Sequence, residues 1–95
     1  MQQITDNKAA NRFEMAFDGH TAFVTYRRTG AGVISLDHAE VPRALEGRGH
    51  GGTLVRATLD AVRAEGLKVV PRCSFVAAYI RRHPDYADLL AQSGS

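Results

Sequence analysis

The hydrophobic pattern of this chain changes period once, at Val41–Pro42, and that change restricts the available folds more than any other feature. Before it, apolar and polar residues alternate. Arg12 to Asp18 reads RFEMAFD, setting Phe13, Met15 and Phe17 on one side and Glu14 and Asp18 on the other. Gly19–His20 interrupts, and Thr21 to Arg28 (TAFVTYRR) is rich in β-branched and aromatic residues. Thr29–Gly30–Ala31–Gly32 marks another turn before Val33 to His38 (VISLDH). A two-residue period broken by glycine turns predicts three strands in an antiparallel meander.

After Pro42 the period is helical. Leu54, Val55, Thr58, Leu59 and Val62 recur on one face, with Arg56, Asp60 and Arg63 on the other. The spacing predicts a helix from Gly51 to Glu65, closed by Gly66. Leu67 to Pro71 (LKVVP) predicts a short buried strand. Ser74 is placed to N-cap a second helix in which Val76, Tyr79, Ile80 and His83 share a side and Arg81 and Arg82 turn outward. Pro84 stops it, and Tyr86, Leu89 and Leu90 suit a last helical turn packing back on the sheet. The order β-β-β-α-β-α is an α/β fold in which one crossover helix joins the third and fourth strands. Residues 1–11 are polar and aperiodic and read as a flexible arm, leaving 12–95 as one domain.

Ninety-five residues can bury a core without metals or disulfides. Twelve basic against ten acidic residues leave a formal charge of +2, too little to point to nucleic acid. No run approaches the roughly 20 apolar residues that span a bilayer. Neither a membrane nor a nucleic-acid partner is expected. The polar opening MQQITDNKAANRFEM and a single unpaired cysteine, Cys73, suit the cytoplasm. Four dispersed histidines and one cysteine give no metal-ligand spacing.

The segment that crosses the change of period is rich in glycine: Gly47-Arg48-Gly49-His50-Gly51-Gly52-Thr53. Glycine is costly to order, so it gathers where backbone turns tightly or is closely approached. A helix N-terminus behind such a turn offers free N–H groups to a phosphate. The string satisfies G-x-G-x-x-G, but Pro42 to Glu46 separate it from the preceding strand, and Arg72 stands where a dinucleotide site needs an acid. A P-loop requires a lysine before the hydroxyl residue, and Gly52–Thr53 has none.

Arg48-Gly49-His50-Gly51-Gly52-Thr53 resembles the R/Q-x-x-G-x-G/A loop of the GNAT superfamily of N-acetyltransferases. The likeness extends from His38-Ala39-Glu40-Val41-Pro42 through Val69-Val70-Pro71-Arg72-Cys73 to Tyr79-Ile80-Arg81-Arg82-His83-Pro84-Asp85-Tyr86, where the chain is similar to the small single-domain Yjdj-type subgroup. The resemblance implies a minimal GNAT (acyl-CoA N-acyltransferase) fold: a mixed, mostly antiparallel sheet with a central crossover helix and a short C-terminal helix. It implies acetyl-CoA as acyl donor and an amine as acceptor, whether small molecule, polyamine or protein amine. Arg48, Gly49, His50, Gly51, Gly52 and Thr53 would hold the pyrophosphate, with Arg43 or Arg56 adding charge nearby. Val41 falls where GNAT backbone pairs with the pantetheine arm. Thr53 departs from the family's glycine or alanine, and its hydroxyl would either bond phosphate or crowd the loop.

Four residues are candidates for the chemistry. Cys73 immediately precedes a helix, whose amides favour a thiolate. In the resembled subgroup a cysteine stands here, to accept the acetyl group or to position the carbonyl; the alternative is a small buried hydrophobe. His38 and Glu40 share a side by the two-residue period, and either would take a proton from the incoming amine unless both are solvated strand ends. Larger GNAT enzymes carry a tyrosine acid about seven residues into the last helix. Here that position falls near Arg81, and the nearest tyrosine is Tyr79. The rival to an enzyme is a CoA or acyl-CoA binding module without turnover.

Overall fold

In the computed structural model, which describes residues 4–91, the two sequence periods separate into a sheet and the helices laid on one of its faces. The strands are β1 (Thr5–Asn7), β2 (Arg12–Phe17), β3 (His20–Gly30), β4 (Val33–Glu40) and β5 (Lys68–Pro71). They lie in the order β1-β2-β3-β4-β5, antiparallel except for the parallel pair β4–β5. A parallel pair needs a crossover, and helix α1 (His50–Ala64) provides it. Helix α2 (Ser74–Arg82) follows β5, and single 3-10 segments occupy Arg43–Leu45 and Pro84–Leu89.

Two-residue turns fix the register of the meander. Asp18 and Gly19, at φ 49° and 80°, both take the left-handed region that a primed hairpin turn requires. Phe13, Met15, Phe17, Val24, Tyr26, Ile34 and Leu36 then share the buried face. Against them pack Leu54, Val55, Leu59 and Val62 of α1, and Val76 and Ile80 of α2. The tail closes the far edge as expected. Tyr86 and Leu89 are buried, Leu90 bridges to Val69, and the Ala91 amide donates to the Val69 carbonyl at 2.9 Å.

Two expectations are corrected. The segment read as a flexible arm contains β1, paired to β2 from Thr5↔Glu14 to Asn7↔Arg12. Met1 to Gln3 lie outside the described residues. Polar side chains hid this strand, because they are satisfied by neighbours rather than by burial: Asn7 donates to Glu14 at 3.0 Å and Tyr26 to Asp6 at 2.5 Å. The second correction concerns α2, whose N-cap is Cys73 rather than Ser74. The amides of Arg72 and Cys73 both bond the Leu36 carbonyl at 3.0 Å, which holds the chain extended only through Cys73, so the helix begins one residue earlier than expected, at Ser74. The C-terminus of α1 is as expected: Gly66 adopts φ 75° and lets the Leu67 amide return to the Val62 carbonyl. No helix among the described residues is long and apolar enough to cross a membrane.

Candidate active site

The parallel ladder between β4 and β5 runs only from Val33↔Lys68 to Leu36↔Pro71. There β5 stops, because its next two amides turn onto the Leu36 carbonyl, while β4 continues to Glu40. The strands therefore fork, and the backbone of residues 37–40 has no strand on that side among the described residues. Buried backbone polar groups demand partners, so such an edge suits a ligand carrying amides. The carboxyl ends of parallel strands are also where open α/β sheets hold ligands.

Helix α1 starts beside the fork. Gly49 takes φ 75° as its N-cap, a conformation that glycine adopts without strain. The first-turn amides lack intrahelical acceptors, and no acidic side chain stands among them. The helix dipole adds partial positive charge at the same place. Thr53 is exposed and bonds back to the loop, its amide and hydroxyl reaching the Gly49 carbonyl at 3.3 and 3.4 Å. A Cβ on Gly51 would lie 2.9 Å from Cζ of Phe75, so a side chain there would displace the Phe75 ring.

Two cavities meet at this helix start. The larger, about 510 Å³, lies between α1 and α2, with Gly49, Gly52 and Thr53 on one wall and Tyr79, Arg82 and His83 on the other. Arg56 closes it one helical turn beyond Gly52. The smaller, about 280 Å³, runs from Val41 and Leu45 past Gly47 and Gly51 to Phe75. The larger falls within the range that holds small-molecule ligands.

Of the three arginines named from the sequence, Arg48, Arg43 and Arg56, only Arg56 lines the larger cavity. Arg48 bonds Asp18 of the β2–β3 turn at 3.1 Å and lines neither cavity. Arg43 is likewise exposed outside both. Arg56 and Arg82 border the larger cavity and make no ion pair among the described residues. Arg82 is exposed, as expected, and also borders the cavity, because it follows Tyr79 by three residues on α2 and residues so spaced are neighbours on a helix surface.

Tyr79 stands in the larger cavity with its phenol pushed above the usual range, mainly by burial, with Arg56 pulling the other way. It is therefore a neutral hydrogen-bond donor near neutral pH. His83 stacks on its ring at 4.0 Å and lies 2.9 Å from the Tyr79 carbonyl through Nδ1. A carbonyl only accepts, so Nδ1 carries the proton. His50 stacks on Phe17 at 4.2 Å, which leaves mainly its backbone to the loop.

The remaining candidates gather at the fork but on different sides of it. A β-bulge at Asp37 sets His38 opposite Thr25 while Leu36 stays opposite Tyr26. Directly opposed residues share a face, so the bulge turns His38 and Glu40 onto the helix-free face with Thr25 and Phe23. Their side chains are exposed and 3.2 Å apart, Nε2 to Oε1. Cys73 sits at the base of the fork, 8% exposed, a free thiol lining neither cavity. Sequence reasoning missed Phe75 and Arg82. The signal for Phe75 was a large apolar residue off the buried stripe of α2.

The sequence profile of GCN5-related N-acetyltransferases matches residues 12–89. Protein NATD1 of Gallus gallus is 31% identical over 84 residues, covering 86% of this chain and 76% of that protein. Protein NATD1 of Homo sapiens is 30% identical over 84 residues, covering 86% and 74%. Among solved structures, a GCN5-like protein from Staphylococcus aureus, determined in solution by NMR, aligns with a TM-score of 0.71 at 28% identity. That alignment covers 96% of this chain and 89% of the other.

Proposed function

The chain belongs to the GCN5-related N-acetyltransferase family, and from that premise we propose that it moves an acetyl group from acetyl-CoA to an amine. The observation that carries this reading is the larger cavity, where an uncapped helix start and two guanidiniums without an ion pair among the described residues face one space beside the β4–β5 fork. A pyrophosphate satisfies the first-turn amides and the charge of Arg56 and Arg82 together. The free edge of β4 around Val41 pairs with the amides of the pantetheine arm. Acetyl-CoA supplies an activated thioester; the protein has to hold it, admit the amine and move two protons.

Tyr79, neutral and lining the same cavity as Arg56 and Arg82, donates a hydrogen bond to the phosphate end of the cofactor rather than to the departing thiolate. Glu40 or His38, on the helix-free face, takes the proton that the amine loses as its nitrogen bonds to the carbonyl carbon and the carbon–sulfur bond breaks. This arrangement brings donor and acceptor to the fork from opposite faces of the sheet. Cys73, closed in at the base of the fork, acts by position: its amide anchors the fork and its thiol fills the space beneath it. The loop, Cys73 and the segment His83–Pro84–Asp85–Tyr86 suit the small Yjdj-type subgroup, and one unpaired thiol suits the cytoplasm.

Acetyl-CoA and CoA at millimolar concentration are expected to raise the melting temperature, and the absence of any shift would sink the cofactor assignment. Release of free CoA over a panel of amines then separates enzyme from binding module. Binding without release from any amine leaves the module. Intact mass after incubation with acetyl-CoA is expected to show no adduct at Cys73; a rapid acetyl adduct lost in Cys73→Ala restores the covalent route.

A further inference from the structure

We propose that Phe75 is the side chain over which the thioester arm passes from the larger cavity to the smaller, and that it positions that arm. The proposal rests on the acetyl-CoA reading above. The two cavities share Gly49, Gly52 and Phe75, so Phe75 is the one side chain common to both among the described residues. It is 48% exposed on the first turn of α2, although Val76 beside it is buried. The other large apolar side chain left exposed among the described residues, Leu90, is accounted for by its bridge to β5.

The Phe75 ring lies directly over a backbone position that has been kept bare. A Cβ on Gly51 would meet Cζ and Cε2 of the ring at 2.9 and 3.2 Å, and Cγ2 of Val41 at 3.7 Å. The ring thus bridges from α2 to the start of α1, close to the end of β4. The two cavities also differ in chemistry. Arg56 and Arg82 stand at one end, Val41 and Leu45 at the other. A ligand with an anionic head and an apolar, amide-bearing arm fits this pair in one direction: head between the helices, arm across Phe75, far end at Val41. Its methylenes cover aromatic surface that is otherwise wet, which is favourable in proportion to the apolar area removed from water.

The test compares CoA with the same nucleotide lacking the arm, adenosine 5′-diphosphate 3′-phosphate, by calorimetry on the whole chain. Phe75→Ala is expected to weaken CoA about tenfold, about 1.4 kcal/mol, and to leave the armless nucleotide within about twofold. Phe75→Tyr keeps the ring and is expected to bind CoA as the wild type does. Because the ring is half exposed, the unliganded melting temperature of Phe75→Ala stays near that of the wild type, which separates lost contact from lost fold. An equal loss for both ligands, or no loss for either, overturns the proposal. A wild type that binds CoA no better than the armless nucleotide removes Phe75's role and leaves the cofactor assignment standing; a wild type that binds neither removes both.

Discussion

The guanidiniums of Arg56 and Arg82 stand on different helices, yet both border the cavity at the first turn of α1. A charge-assisted hydrogen bond to phosphate contributes about 1.5–3 kcal/mol, whereas an exposed ion pair contributes about 0–1. Arg56→Gln and Arg82→Gln are each expected to weaken CoA by about tenfold or more. Arg48→Gln, which breaks only the exposed contact with Asp18, is expected to change CoA affinity by less than about twofold. Titration of CoA into the three variants checks the order, and an Arg48 effect as large as the others returns the phosphate to the loop arginine. Sequence alone favours Arg48 because it stands among the glycines. The side-chain partner that withdraws it, Asp18, is thirty positions away in the chain and close only after the β2–β3 turn has formed.

At the scale of elements, the fork depends on how α2 begins. Cys73 holds the N-cap position with extended backbone, φ −73° and ψ 125°, and gives its helix no side-chain cap. Serine is among the best residues for that position, and an N-cap hydroxyl contributes about 1 kcal/mol relative to alanine. Cys73→Ser is therefore expected to melt above Cys73→Ala, and both are expected to keep measurable acetyl transfer if the thiol acts by position. Complete loss of turnover in both, with binding intact, identifies the thiol as a reacting group. The elements themselves were legible: the alternation gave β2, β3 and β4, and the helical stripe placed α1 within one residue of its observed start. β1 was not, since three polar residues at a sheet edge leave no hydrophobic period. The bulge at Asp37 was not either, because it is a mismatch between two strands and neither strand alone records it.

Across the whole molecule, the tail is tied to α1 through Tyr86, whose hydroxyl donates to Asp60 at 2.7 Å. Burial first, and then Asp60, push its phenol up to about 12. Folding thus favours the neutral form. The resulting stability is fully present below the unfolded value near 10 and is lost as pH rises toward 12. Thermal melting between pH 9 and about 12 is expected to fall steeply for the wild type and less steeply for Tyr86→Phe, which keeps the ring and loses the titrating group; parallel curves would count against this link. At the acid end the sign reverses. Glu14, bonded by Arg12 and Asn7, is held below its ordinary range, and its contribution fades as pH falls through the folded value.

The sequence by itself determined the order of elements from β2 onward, the crossover, the glycine-led start of α1 and the family, because hydrophobic period, glycine placement and motif spacing are properties of neighbouring residues. Tertiary structure alone decided which arginines face the cleft, that Cys73 is closed in, that His38 and Glu40 lie on the helix-free face, and that Phe75 rests on Gly51. Each of these depends on how two separate elements meet. A helix stripe fixes which face is buried, but the residues at its margins take their surroundings from the neighbour that packs beside them. Tyr79, Arg82 and Phe75 occupy such margins, and the cleft is built from them.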